Sequence, residues 1–269
     1  MKKLRKLRNN LVSMQAMSVL GLRNYARLLK EAVANVPQIV KSGDLRPLDK
    51  KMGAYIGDFN YRGRSFKFDC GYCDRNLRED SFGFGIAREI YIRDCYFKYQ
   101  PDHIFPESKI VLDLGANRGA FSSMMTSVAE SILCVECSEN YQDVIRHNME
   151  INDFKVFSIE TVFLGRSGAK YNASHSTIKL NQLIDKHHIN RIDFIKMDIE
   201  GSEFEIFEDA GWLDMTKALS MEVHPQFGGN TSNVIETLKG KNFVLRMADD
   251  NLREVSEVFH AAYIYAWKK

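Results

Sequence analysis

No apolar run in this 269-residue chain approaches the roughly 20 residues that a bilayer-crossing helix needs, which sets aside a transmembrane span. No internal repeat or low-complexity segment interrupts it. Net charge is scarce as well: 37 Lys and Arg against 35 Asp and Glu leave +2, so the overall charge argues for no particular partner. The first residues are basic and lead into LVSMQAMSVLGL, the outline of a secretion signal. That stretch holds Gln15 and two serines and lacks a small-x-small cleavage site, so a cytoplasmic protein is expected. Cysteine is sparse, and its five copies include two CxxC pairs, Cys70/Cys73 and Cys134/Cys137. The second pair sits in strand-like SILCVECS, where side chains three apart point to opposite faces. The pairs are also far apart in sequence for a zinc ribbon, so reduced thiols are expected and zinc is not.

What is present is ordinary for a globular protein, with 45% apolar and 27% charged residues, enough for a sizeable core. The charges are unevenly placed. Residues 1–30 carry eight basic side chains and no acid, and the rest of the chain is net acidic. Leu4, Leu7, Leu11 and Met14 recur at helical spacing, which predicts a basic amphipathic helix. A peripheral membrane contact through that helix is one expectation. An exposed or packing helix ahead of the main domain is the other.

Three regions follow from the pattern. Residues 1–43 read as a basic helical segment and 44–106 as an extension of small strands and hairpins, REIYIRDCYF among them. Residues 107–269 alternate strands with helices. The runs KIVLDLG, SILCVECS, RIDFIKMDI and KALSMEV are nearly continuous in apolar residues, as strands buried on both faces are. Helical stretches between them predict a parallel sheet wrapped by helices, with a ligand site at the carboxyl ends of the strands. NFVLRMA and FHAAYIYAW are joined by a short link without a clear helix and are expected to pair antiparallel.

In IVLDLGANRGAF a buried strand ends at Asp113 and runs into Gly115 and Gly119. The dinucleotide fingerprint needs a glycine where Asn117 stands and another at Ala120. A pyrophosphate would also be repelled by Asp113. The loop instead suits a nucleoside bearing a cationic group, and S-adenosylmethionine, with its sulfonium and ammonium, fits. Glu136, near the end of the next strand, stands where doubly wound folds place a carboxylate for ribose hydroxyls. Asp113, Gly115, Asn117, Gly119, Glu136 and Asp198 are therefore the candidate cofactor residues.

These segments resemble the FkbM family of S-adenosylmethionine-dependent methyltransferases. DLGANRG (113–119), ECSEN (136–140), IDFIKMDIEGSEFEIF (192–207) and MEVHP (221–225) carry the resemblance, in the family's order and spacing, across about residues 85–267. It implies a class I methyltransferase fold, Rossmann-like, with a seven-stranded, mostly parallel sheet and an antiparallel last strand. It also implies O-methylation of a hydroxyl on a sugar, glycoconjugate or natural product. Residues 1–84 depart from the family. The other functions weighed are a binding or scaffold protein that keeps the fold without turnover, and a nucleic-acid methyltransferase. The latter lacks an Asn-Pro-Pro-Tyr type of motif, and DIEG (198–201) stands in its place.

Strand 191–199 is expected to deliver Asp198 and Glu200 to the sheet edge, with Glu222 and His224 emerging beside them from the neighbouring strand. His224 is the leading candidate for general base, because imidazole titrates near neutrality. Asp198 or Glu200 would alternatively take that role in its place, or position the acceptor. The same four residues form a candidate site for magnesium or manganese. Lys196 is expected to pair with Asp198, and Glu203 to complement a helix N-terminus as a structural residue. Tyr96 and Phe97 are read mainly as packing.

Overall fold

The computed structural model describes residues 13–77, 82–165 and 176–269. The expected amphipathic positions Leu4, Leu7 and Leu11 lie outside the described residues. By packing the chain falls into two units. One takes in residues 1–95, 118–127 and 143–155, and the other residues 96–117, 128–142 and 156–269.

The first unit is mostly helical. A helix at Met14–Ala34 starts on Ser13, whose hydroxyl accepts from the Ala16 N–H, and it breaks at Gly21, where φ is +69°. Val36–Ser42 restarts with Pro37 in its first turn, where proline's missing N–H costs nothing. Helices follow at Arg46–Gly53, Cys70–Asn76 and Gly83–Ala87, the last continuing as a π-turn over Arg88–Ile92. Among the described residues the expected run of hairpins reduces to one, β1 (Asp58–Tyr61) with β2 (Arg64–Lys67). REIYI is helical, and its apolar residues face inward together, with Ile90, Tyr91 and Ile92 all buried. The Tyr91 ring is wedged edge-on against Phe59 and Phe66, each 4.9 Å away between centroids, and its hydroxyl donates to the Ala120 carbonyl at 2.7 Å. Gly119 belongs to this unit, at φ +72° with Ile145 packed against it.

The second unit is built on an eight-stranded sheet. Its strands are β3 (Ile110–Leu114), β4 (Ser131–Val135), β5 (Phe157–Glu160), β8 (Ile192–Met197), β9 (Thr216–Glu222), β10 (Val244–Ala248), β11 (Glu254–Val255) and β12 (Tyr263–Trp267). A separate two-stranded pair joins β6 (Phe163–Leu164) to β7 (Thr177–Ile178). The sheet order is β11-β10-β12-β9-β8-β3-β4-β5. The strands β5, β4, β3, β8 and β9 run parallel, and β12 is antiparallel to both β9 and β10. This is the class I methyltransferase fold. The eighth strand, beyond the seven expected, is the two-residue β11, which folds back on the β10 edge. Chain order reverses between β3 and β8, and the crevice of an open α/β sheet forms beside such a reversal.

One face of the sheet presents Leu112, Leu133, Ile195, Leu219 and Ile264 to helices Leu180–Lys186 and Thr231–Gly240 and to Trp212, forming the main apolar core. The opposite face carries a polar stripe in register, Asp113 beside Lys196 beside Ser220 beside Tyr265. Segment 96–107 covers part of it. Phe97 stacks on Phe194 with centroids 4.5 Å apart, and Gln100 Nε2 donates to the Leu219 carbonyl at 2.7 Å and to Ser220 Oγ at 2.9 Å. Ser220 Oγ in turn donates to the Tyr96 carbonyl at 2.6 Å, which fixes Tyr96 over the strand ends.

Candidate active site

The turn leaving β3 is fastened to both of its neighbours. The Gly115 and Ala116 N–H groups donate to the Val135 carbonyl, each at 2.9 Å, and the Asp198 N–H donates to the Leu114 carbonyl at 2.9 Å. At Gly115 φ is +79°, and a Cβ there would lie 1.8 Å from the Asp198 carbonyl oxygen. Only glycine permits this approach of main chain to main chain. Two residues on, Asn117 adopts φ +48°, a left-handed conformation that asparagine tolerates better than most residues. Its N–H donates to Glu136 Oε2 at 2.9 Å, while the Ser138 N–H donates to Oε1 at 3.0 Å. The Glu136 carboxylate is thus held by two main-chain donors at the end of β4.

These groups line a cavity of about 280 Å³. Gly115, Asn117, Glu136 and Asp198 form its polar wall, and Tyr141, Val162, Phe163, Leu164 and Ile199 its apolar side. A half-open slot with a fixed carboxylate at one end, a second at the other and aromatic walls between suits a nucleoside carrying a cation. The residues present fit S-adenosylmethionine: Glu136 would take the ribose hydroxyls, the apolar wall the base, and Asp198 the charged end.

Two of the expected cofactor residues stand elsewhere. Asp113 is fully buried and does not line the cavity. Its Oδ1 lies 3.3 Å from Lys196 Nζ, its direct neighbour across the β3–β8 ladder. The expected Lys196–Asp198 pair is therefore replaced by Lys196–Asp113, because register neighbours on one face meet before residues two apart along a strand. Burial works against the Lys196 charge, but the Asp113 and Asp198 carboxylates outweigh it and raise its pKa. Lys196 also donates to the Gly115 carbonyl, tying the ion pair to the turn. Gly119, in the first unit, does not line the cavity either.

At the mouth of β8 and β9 the structure gathers the remaining candidates. Asp198 Oδ2 accepts from the Tyr96 hydroxyl at 3.0 Å. His224 Nε2 lies 4.0 Å from Asp198 Oδ1 and 3.9 Å from Glu222 Oε1. Glu200 is exposed and sits at φ +55°, on the strained turn into Gly201 (φ +103°), whose Cα faces the Phe227 ring.

Glu203 stands in a first helical turn, as expected, but with a partner that its position does not announce. It is fully buried, and its Oε1 lies 2.7 Å from His224 Nδ1. Its Oε2, also buried, has no hydrogen-bond partner among the described residues. A buried carboxylate costs free energy unless it is paired, so the imidazole is what makes Glu203 tenable here. Burial alone would depress the His224 pKa. The Glu203 hydrogen bond and the charges of Glu203, Asp198 and Glu222 override that and raise it to about 9. Tyr96 was missed as a polar partner of Asp198 because nothing local to YF (96–97) signals a contact a hundred residues away.

Oxygens of Asp198 and Glu200 and a ring nitrogen of His224 lie within 4.8 Å of one another, a spacing that a cation can bridge.

A sheet of this order, with a cavity walled by carboxylates and apolar side chains at its reversal point and an acid-held histidine at the rim, defines a class I S-adenosylmethionine-dependent methyltransferase. Residues 172–245 match the family model described as the methyltransferase FkbM domain, so this segment is of the FkbM type and the chain is a methyltransferase. The match holds Asp198, Glu200, Glu203, Glu222 and His224. It is narrower than the span of the resemblance, and the Gly115 turn and Glu136 lie outside it. No curated protein matches the chain. Solved structures similar to it include a precorrin-6y C5,15-methyltransferase from Geobacter metallireducens, at 14% identity and TM-score 0.38, over 60% of this chain and 81% of that one. An rRNA methylase from Streptococcus thermophilus is 10% identical with TM-score 0.42, over 62% of this chain and 92% of that one. The fibrillarin pre-rRNA processing protein of Methanococcus jannaschii is 16% identical with TM-score 0.38, over 61% and 68%. Likenesses of this size carry nothing about substrate.

Proposed function

We propose that the chain methylates a hydroxyl of a sugar, glycoconjugate or natural product, with His224 as the proton acceptor. The observation that carries this is the Glu203–His224 pair, 2.7 Å between Oε1 and Nδ1, which leaves Nε2 turned toward Asp198 at the charged end of the cavity. Bound there, S-adenosylmethionine supplies an electrophilic methyl group on a positively charged sulfur. The chain's own residues do the rest. Glu203 fixes the ring and its tautomer, as an acid does for a catalytic histidine. Nε2 takes the proton that the acceptor hydroxyl loses, and it can do so only in the neutral ring, so turnover climbs with pH toward about 9. Asp198, Glu200 and Glu222 are hydrogen-bond acceptors at the same rim, which suits a neutral, hydroxyl-rich acceptor and repels a phosphodiester chain. A cytoplasmic setting belongs to the proposal and accords with five free cysteines.

The test is transfer of a labelled methyl group from S-adenosylmethionine to a panel of glycosides and polyols, beside His224→Ala. Transfer to hydroxyl oxygen, reduced about 10²- to 10⁴-fold in the variant, supports the reading. Methylation of RNA or DNA with sugars untouched overturns it.

A divalent cation on Asp198, Glu200 and His224 is the second reading, favoured only by their spacing. Chelation by EDTA separates the two. Unchanged turnover fits the metal-free base, and loss restored by magnesium or manganese would install the cation.

A further inference from the structure

The exposed large hydrophobic side chains among the described residues gather in one stretch of the chain, outside the residues of the methyltransferase site. Among the described residues, nine large hydrophobic side chains stand exposed, and seven of them fall between residues 14 and 55. Met14 is 84% exposed, Leu22 75% and Val33 74%. Scattered single exposures need no explanation, but a cluster of this kind marks an interaction surface.

The cluster has an orientation. In the helix beyond the Gly21 break, Leu22, Ala26 and Val33 recur at the spacing that places them on one face, while Leu28 and Ala32 bury the opposite one. Arg23, Arg27 and Lys30 flank the exposed face along one side, and the Arg27 guanidinium lies 4.6 Å from the centre of the half-exposed Tyr55 ring. Tyr55 contributes the same amphipathic character, a ring with a polar tip. Gly21 allows the first and second parts of the helix to differ in direction, and a Cβ there would meet nothing within 4 Å, so the break is open on that side. The helix is too polar to cross a bilayer.

We propose that this face docks on an anionic lipid surface, lying in its plane with Leu22 and Val33 entering the acyl boundary and the cations at headgroup level. An apolar stripe bordered by Lys and Arg is the arrangement such a surface selects. Charge also argues against the other occupants. The face is flanked by Arg23, Arg27 and Lys30, so a second copy meeting it symmetrically would set cation against cation. A nucleic acid would satisfy the cations and leave the exposed Leu and Val without a partner.

The test is co-sedimentation of the full chain with vesicles of phosphatidylcholine alone and of phosphatidylcholine mixed with phosphatidylglycerol. Binding is expected only to the mixed vesicles and weaker at high salt. Arg23→Gln or Lys30→Gln lowers partitioning by about fivefold each. The pair Leu22→Ser with Val33→Ser lowers it at low and high salt alike, and both residues are exposed, so the folded state is retained and is checked by circular dichroism. No binding to either vesicle, binding indifferent to phosphatidylglycerol, or binding of an RNA homopolymer in place of vesicles overturns the proposal. So does a concentration-dependent dimer that Leu22→Ser dissolves, which would make the face a self-association surface. None of these readouts depends on methyl transfer.

Discussion

Glu203 Oε1 and His224 Nδ1 stand 2.7 Å apart, joining the helix that follows β8 to the chain leaving β9. The carboxylate is wholly buried and the ring only 12% exposed. Three acids face this imidazole from separate stretches of chain: Glu203 from its helix, Asp198 from the end of β8, and Glu222 from the end of β9.

The titration of the His224 ring depends on Glu203. The ring's folded-state pKa of about 9 lies above the ordinary 6.5, so the pairing stabilises the fold fully below pH 6.5 and that contribution fades as pH rises through about 9. In Glu203→Gln the histidine signal followed by NMR titrates lower, and stability becomes flatter between pH 6.5 and 9. The alkaline rise in kcat moves down with it. A merely structural Glu203 would lower stability and leave the pH profile where it was.

Gly115→Ala tests the turn. The new Cβ would overlap the Asp198 carbonyl in a left-handed backbone, so a loss of about 3 kcal/mol or more is expected in urea denaturation. Binding of S-adenosylhomocysteine by calorimetry is expected to vanish in whatever folded protein remains.

Asp113 and Lys196 form an ion pair with almost no exposure, and the polar stripe depends on both. Asp113→Leu or Lys196→Met alone strands a buried charge and costs about 3–5 kcal/mol. The double replacement is expected to recover much of that loss. A double-mutant cycle in urea measures the coupling.

Glu136→Gln keeps the shape of the side chain and removes its charge. Hydrogen bonds to a carboxylate contribute about 1.5–3 kcal/mol each, so affinity for S-adenosylhomocysteine falls about 10- to 100-fold. The anchor on Asn117 weakens as well, since one of the two main-chain donors then meets an NH₂ group or a neutral oxygen.

Much of this architecture was readable in the chain. Continuous apolar runs located β3, β4, β8 and β9, and the short link before FHAAYIYAW foretold the antiparallel β10–β12 pair. The glycine at 115 and the acid at 136, picked out by their spacing, line one cavity at the strand ends. What escaped was set by register and distance. Asp113 looked like a ligand because it ends a strand, but the ladder places Lys196 directly beside it. Glu203 had a sufficient local explanation as the acid of a first helical turn, and its true partner lies 21 residues further along. REIYI alternates as a strand does, yet a helix buries it through Tyr91, whose ring packs edge-on against the stacked Phe59 and Phe66.

The meeting of Gly115 with the Asp198 carbonyl has a consequence for how such an enzyme diversifies. Where peptide touches peptide, the Gly115 end of the cavity is fixed by the main chain, and no exchange of side chains there will broaden it. New acceptors must therefore be accommodated by the rim beyond, around Phe227 and Glu222, while the floor beneath the methyl donor stays as it is.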